Sequence, residues 1–192
     1  MTILVAGLVI FFSTHLFTTF RSRAAGQDIK ERMGEKAYMG IYSIISIIGF
    51  GLIIWGYNAA PGGDPLFVTP LALRWVSALL LLLGFVLLVA AFAPAGKIKR
   101  WAKHPMITAV GMWGLAHLLY GGDLVAVLIF GSFLVYAVLD RLMVMRRPDP
   151  VFEGAPSETG DVIAILGGAF TFFAFVYGLH KLLWGIAPVL PF

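Results

Sequence analysis

The feature that most constrains this chain is a series of apolar runs, several of which approach or exceed the roughly 18–20 residues that a helix needs to cross a bilayer core. Of its 192 residues 60% are hydrophobic, and only 14 Lys or Arg and 10 Asp or Glu interrupt the runs. Backbone polar groups in hydrocarbon must be satisfied within the chain, which favours helices. The sequence therefore predicts an all-α polytopic membrane protein with one domain over residues 1–192.

Turn-forming and charged residues divide the apolar sequence into six predicted transmembrane helices. Their expected ranges are 3–20, 37–57, 71–93, 105–120, 123–143 and 161–184. The Gly121–Gly122 link is too short to cross a membrane, so the fourth and fifth helices should form an antiparallel hairpin. The polar stretch that begins at Ser157 should cap the start of the sixth helix. Arg74 and Trp75, at the start of the third, are interpreted as interface anchors.

The basic residues predict the orientation of this bundle. Of the 14 Lys and Arg, 12 lie on the side that faces the 1–2, 3–4 and 5–6 loops, and only Arg74 and Lys181 fall on the other side. Because cytoplasmic loops carry the excess of Lys and Arg, these loops should be cytoplasmic and both termini periplasmic. The first twenty residues show no basic n-region and no small-residue cleavage site, so they are expected to be a retained helix.

Composition also excludes several classes of site and partner. The chain contains no cysteine, which excludes disulfides, thiolate metal sites and cysteine nucleophiles. The net charge of +4 does not indicate nucleic-acid binding, because the basic residues lie in loops beside hydrophobic runs. The expected partner is the lipid bilayer.

The stretch KHPMITAVGMWGLAHLLYGGD, residues 103–123, contains the candidate site. Between its basic, proline-marked start and its glycine pair lies an apolar run with one ionisable side chain, His117. An imidazole in hydrocarbon must be hydrogen-bonded, metal-bound or facing water. Gly111, Gly114 and Ala116 make the adjoining helix surface nearly flat, which suits either a planar ligand or a closely packed helix.

A second histidine, His15, lies in the first predicted helix. At ~1.5 Å per residue, His15 and His117 each lie ~18 Å from the start of their helix, which permits a shared site near the middle of the bilayer. Each is either a satisfied core histidine or a ligand. Two imidazoles suit iron in a porphyrin, whereas a bare divalent ion usually takes more protein ligands. His104 is interpreted as a helix cap or headgroup contact, and His180 as an interface anchor.

Two blocks of sequence, HLFTTFRSRAAGQDIKERMGEKAY and KHPMITAVGMWGLAHLLYGGD, resemble the NnrU family of bacterial membrane proteins. That family was named from denitrification gene clusters and is related to the zeta-carotene isomerases. The resemblance implies haem b held between His15 and His117, in a bacterial inner membrane. Gly114 stands where the isomerases have a cysteine, so a cysteine-for-histidine ligand exchange is impossible here. Arg21 and Arg23, one to two turns from His15, are placed to pair with haem propionates.

Three functions remain open at this stage. The first is a haem b protein that supports nitric oxide or nitrite reductase, transfers electrons to a redox partner, or isomerises a hydrophobic polyene. The second is a membrane methyltransferase of the isoprenylcysteine type, which also has a basic residue followed by His-Pro at a helix start. The segment after the fifth helix lacks that family's paired glutamates. The third is an assembly factor without a cofactor.

Overall fold

The computed structural model describes residues 1–60 and 63–188, and the chain is helical throughout most of them. In chain order the helices are α1 Thr2–Phe20, α2 Ile29–Met33, α3 Glu35–Ala59, α4 Leu71–Phe92, α5 Lys97–Ala102, α6 Pro105–Leu119, α7 Leu124–Val144, α8 Glu158–Ala174, a π-helical turn Phe175–Leu179, and α9 His180–Trp184. The predicted all-α class is confirmed.

Five of these helices are long and apolar enough to cross a membrane, which makes this a multi-pass membrane protein. They are α1, α3, α4, α7 and the continuous helix Glu158–Trp184. The predicted fourth span, residues 105–120, is not among these five helices. The corresponding helix α6 has 15 residues and is only ~22 Å long, which is shorter than the ~30 Å bilayer core. Lys103, with φ of 59°, and Gly121, with φ of 98°, bound α6 by turning the chain. Six crossings and periplasmic termini stay predictions.

Two short helices, α2 and α5, were not predicted. Helix α2 begins where the Asp28 carboxylate accepts the Lys30 backbone N–H at 2.9 Å, and it ends at Gly34, whose φ is 81°. Local caps define such helices, and five residues are too few to show hydrophobic periodicity.

The chain divides into two compact units, Met1–Asp64 and Pro65–Phe192, and each is described by itself. The prediction of one domain stays a prediction. In the first unit α1 packs antiparallel to α3 at very short range. A Cβ on Gly49 would lie 2.8 Å from the Phe11 backbone nitrogen, and a Cβ on Gly7 would lie 2.6 Å from that of Ile53. Glycine is required here because the two backbones touch.

In the second unit α4 packs against α6 and α8, while α6 packs against α7. The four helices therefore lie in the order α8, α4, α6, α7. A Cβ on Gly168 of α8 would meet the Val86 backbone nitrogen at 2.6 Å, and one on Gly114 of α6 would meet the Phe130 carbonyl oxygen at 2.9 Å. The predicted α6–α7 hairpin is confirmed.

The cationic segment around α5 joins the ends of its neighbours within this unit. The Asp161 carboxylate of α8 accepts the first backbone N–H groups of α5 at 2.8 and 2.9 Å. The Lys99 ammonium donates to two carbonyls at the end of α4, and the Arg100 guanidinium donates to three in the loop before α8. Lys103 pairs with Asp149. The predicted cap is also confirmed, since Ser157 Oγ accepts the Gly160 N–H at 3.0 Å.

Candidate functional site

His117 lies in the last turn of α6, where three contacts fix its ring. Its Nδ1 lies 2.8 Å from the Trp113 carbonyl oxygen one turn earlier. The ring stacks on Phe130 of α7, with centroids 4.3 Å apart and planes 19° apart, and it is tilted against the Trp113 ring at 4.9 Å. A carbonyl oxygen only accepts, so Nδ1 carries the hydrogen and the neutral ring keeps its lone pair on Nε2.

Gly114 explains why Phe130 reaches His117. Because a side chain at 114 would meet the Phe130 carbonyl, glycine lets α7 approach α6 closely enough for the two rings to stack. The flat face of α6 is therefore covered by a helix, one of the two alternatives that the sequence left open. The predicted contact of Gly114 with a cofactor stays a prediction.

His15 repeats this local arrangement in the first unit. Its Nδ1 lies 2.7 Å from the Phe11 carbonyl oxygen, and its ring stacks on the Phe11 ring at 3.9 Å with planes 26° apart. The ring of Tyr42 of α3 is tilted against the His15 ring, with centroids 5.2 Å apart and planes 57° apart. By the same chemistry Nδ1 donates and Nε2 holds the lone pair. The two histidines belong to different units, so their shared site stays a prediction.

Arg21 and Arg23 follow α1 and differ in their surroundings. The Arg21 Nη1 donates to the Asp28 carboxylate, and the two side chains are only 10% and 8% exposed. The Arg21 guanidinium also lies 5.5 Å from the Tyr38 ring centroid. Arg23 Nη2 donates to the Thr18 carbonyl at 3.4 Å. Arg21 is thus already held in an ion pair, whose hydrogen bond lowers the pKa of Asp28 below its ordinary value.

Sequence reasoning missed a polar contact beside His117. Ser77 of α4 is 1% exposed and donates to the carbonyl of Ala116, the residue before His117. Arg74, one turn earlier in α4, lies over the Tyr120 ring at 5.3 Å. The available signal was Ser77 itself, the one hydroxyl in the apolar run 71–93.

The other two histidines lie at helix ends. His104 is the N-cap residue of α6, but its side chain makes no capping hydrogen bond, so of the two predicted roles only the headgroup contact stays a prediction. Burial, with the nearby Arg141 and Arg147 charges, lowers the pKa of His104. His180 Nδ1 donates to the Ile186 carbonyl at 2.7 Å.

Among residues 1–60 and 63–188, no three His, Asp or Glu side chains converge as ligands for a metal ion.

Five apolar helices of membrane length define an all-helical multi-pass membrane protein within the described residues, and two of its apolar helices hold an oriented imidazole. Within that class the chain belongs to the NnrU family, whose family model, described as NnrU protein, matches residues 3–188. No curated protein and no solved structure matches the chain.

Proposed function

We propose that this protein binds haem b in a bacterial inner membrane, with His15 and His117 as the axial ligands. The observation that carries the proposal is the same hydrogen bond in both helices, from Nδ1 to the carbonyl four residues earlier. Histidines that bind metals usually donate the other ring N–H to such an acceptor, which fixes the tautomer and orients Nε2. Bound haem would supply a redox-active iron.

The surrounding residues fit a porphyrin better than a bare ion. Each imidazole is packed against aromatic rings, with Phe11 and Tyr42 around His15 and Trp113 and Phe130 around His117. A bare divalent ion would need further nitrogen or oxygen ligands, and no such cluster occurs in the described residues. Two nitrogen ligands satisfy the axial positions of haem iron.

We infer two candidate roles from what the resemblance to the NnrU family implies. One is support of nitric oxide or nitrite reductase, including electron transfer, and the other is cis–trans isomerisation of a polyene. Isomerisation requires an open iron position in the reduced state, so one histidine would have to leave. Carbon monoxide binding to the reduced protein distinguishes the two roles, because a retained histidine pair blocks it.

The experiment is an absorption spectrum of the full-length, detergent-purified protein, oxidised and reduced. We expect the wild-type protein to show a low-spin bis-histidine haem spectrum. His15→Ala or His117→Ala should abolish this spectrum, because the variant loses either the haem or one of its two ligands. His180→Ala is the matched control, because His180 also donates Nδ1–H to a carbonyl and yet is not a proposed ligand. His104→Ala is a second control.

Two results would refute the haem proposal. A protein that purifies colourless after expression with ample haem would favour the cofactor-free assembly factor or the methyltransferase. A full bis-histidine spectrum in the His117→Ala variant would remove His117 from the ligand set.

A further inference from the structure

A second polar cluster lies in the Pro65–Phe192 unit, where the segment before α4 meets the turn after α6. The Leu66 backbone N–H donates to the Gly122 carbonyl at 3.0 Å, which ties the two segments together. A Cβ on Gly121 would lie 3.9 Å from Thr69 Oγ1. With Arg74 over Tyr120, Thr69 and Arg74 both lie beside the Tyr120–Gly121 turn.

Both side chains hold a polar atom that is buried and has no protein partner. Arg74 Nε and Thr69 Oγ1 are inaccessible to water and make no hydrogen bond within the described residues. Three basic side chains of this unit differ, since Lys99 and Arg100 reach backbone carbonyls and Lys103 reaches Asp149. Arg141 Nη1 is also buried without a partner, but Arg141 lies near the other end of α7, away from this turn. Within residues 1–60 and 63–188, no Asp or Glu pairs with Arg74.

An anion with two oxygens would complete this cluster. A buried donor without an acceptor destabilises the fold, and a guanidinium recognises a carboxylate through two parallel N–H···O bonds. A threonine hydroxyl beside it can donate to the same anion. The Arg74 guanidinium, held over the Tyr120 ring, is the group of this cluster that can make such a pair of bonds.

The cluster lies close to His117 along α6. Tyr120 follows His117 by three residues, or ~4.5 Å along the helix axis. We infer that Arg74 and Thr69 bind a carboxylate of the ligand that His117 coordinates. This inference rests on the proposed haem binding and assigns one propionate to this cluster.

The test compares two ligands in the full-length apoprotein, haem b and its dimethyl ester, in which both carboxylates are blocked. Absorbance titration gives each dissociation constant. We expect the wild-type protein to bind haem b roughly 10- to 100-fold more tightly than the ester, the range of one or two charged hydrogen bonds. Arg74→Gln should reduce this preference several-fold, to what the second carboxylate contributes, and Thr69→Val should reduce it less. Arg74→Lys, which keeps the charge but not the planar fork, should be intermediate.

Lys181→Gln is the control for loss of a positive charge and should keep the wild-type preference. The titrations are repeated in nanodiscs of neutral and of anionic phospholipid, because a lipid phosphate offers the same anionic oxygens. A preference that disappears in anionic lipid would assign Arg74 to headgroups and overturn the inference.

Failure of the inference differs from failure of the proposed function. If haem b binds with a bis-histidine spectrum and Arg74→Gln keeps the full preference over the ester, only the carboxylate assignment is overturned. If the wild-type protein binds neither haem, both the haem proposal and this inference are overturned.

Discussion

At the scale of single residues, one hydrogen bond decides which nitrogen of each imidazole can coordinate. The Phe11 and Trp113 carbonyls belong to the helices that hold His15 and His117, so the tautomer is set inside each helix and does not depend on a partner. The sequence predicted both residues from their isolation in apolar runs. It could not predict the tautomer, because that depends on side-chain rotamers.

Ser77 should stabilise the position of His117 through the Ala116 carbonyl. Ser77→Ala removes a buried hydrogen bond, so the free energy of unfolding in mixed detergent micelles should fall by about 1 kcal/mol. The control is Ser43→Ala, since Ser43 is exposed and its loss should change stability by no more than about 0.5 kcal/mol. Equal stability of the two variants would show that the Ser77 bond contributes nothing net.

The ion pair of Asp28 with Arg21 predicts that the stability of the segment between α1 and α3 depends on pH. The hydrogen bond from Arg21 lowers the pKa of Asp28, so its stabilisation is present above the ordinary carboxyl pKa and is lost as pH falls through the lowered value. Asp28→Asn should therefore weaken hydrogen-exchange protection of residues 21–34 at pH 7, and the two proteins should converge in acid. Asp64→Asn, at an exposed position, is the control. A difference that persists unchanged in acid would contradict this prediction.

At the scale of elements, helix limits followed closely from composition. The predicted ranges 3–20 and 71–93 each differ from α1 and α4 by only one residue at one end. The agreement is close because a charged residue or a proline marks where these helices begin or end. Helix α2 and the π-helical turn were not predicted, since both depend on backbone hydrogen bonding that has no hydrophobic signature. The depth estimate for His117 assumed a membrane-long helix, whereas α6 has 15 residues and His117 lies in its last turn.

Close packing of α1 on α3 predicts a position-specific effect of adding one methyl group. Gly49→Ala would place Cβ 2.8 Å from the Phe11 backbone, so we expect a loss of roughly 1–3 kcal/mol in stability from overpacking. It should also disturb the ring of His15, which stacks on Phe11. Gly51→Ala is the matched control on the same helix, because nothing lies within 4 Å of its Cβ. Thermal unfolding in detergent measures both, and a neutral Gly49→Ala would show that the helices separate easily.

At the scale of the whole molecule, the number of crossings depends on α6. The distribution of Lys and Arg predicts that Asp64 faces the periplasm and Glu153 the cytoplasm. Because the chain has no cysteine, Asp64→Cys and Glu153→Cys each introduce the sole thiol. A membrane-impermeant maleimide added to spheroplasts should label only Asp64→Cys, and permeabilised cells should label both. Labelling of both variants in intact spheroplasts would show an even number of crossings between the two positions, as expected if α6 does not cross the membrane.

The π-helical turn Phe175–Leu179 has a consequence for the last helix of the chain. Such a turn contains one residue more than an α-helical turn, so deleting one residue there would restore regular hydrogen bonding without breaking the helix. The segment beyond the turn would keep its direction, because the wider turn takes up the extra residue locally. Deleting one residue from the regular helix α8 would instead rotate everything beyond it by about 100° and shorten the helix by ~1.5 Å. The direction in which His180 points relative to α8 is therefore kept by a deletion inside the turn and changed by a deletion before it, while the Phe175 and Trp184 rings, which stack 6.2 Å apart across the turn, stay on one face.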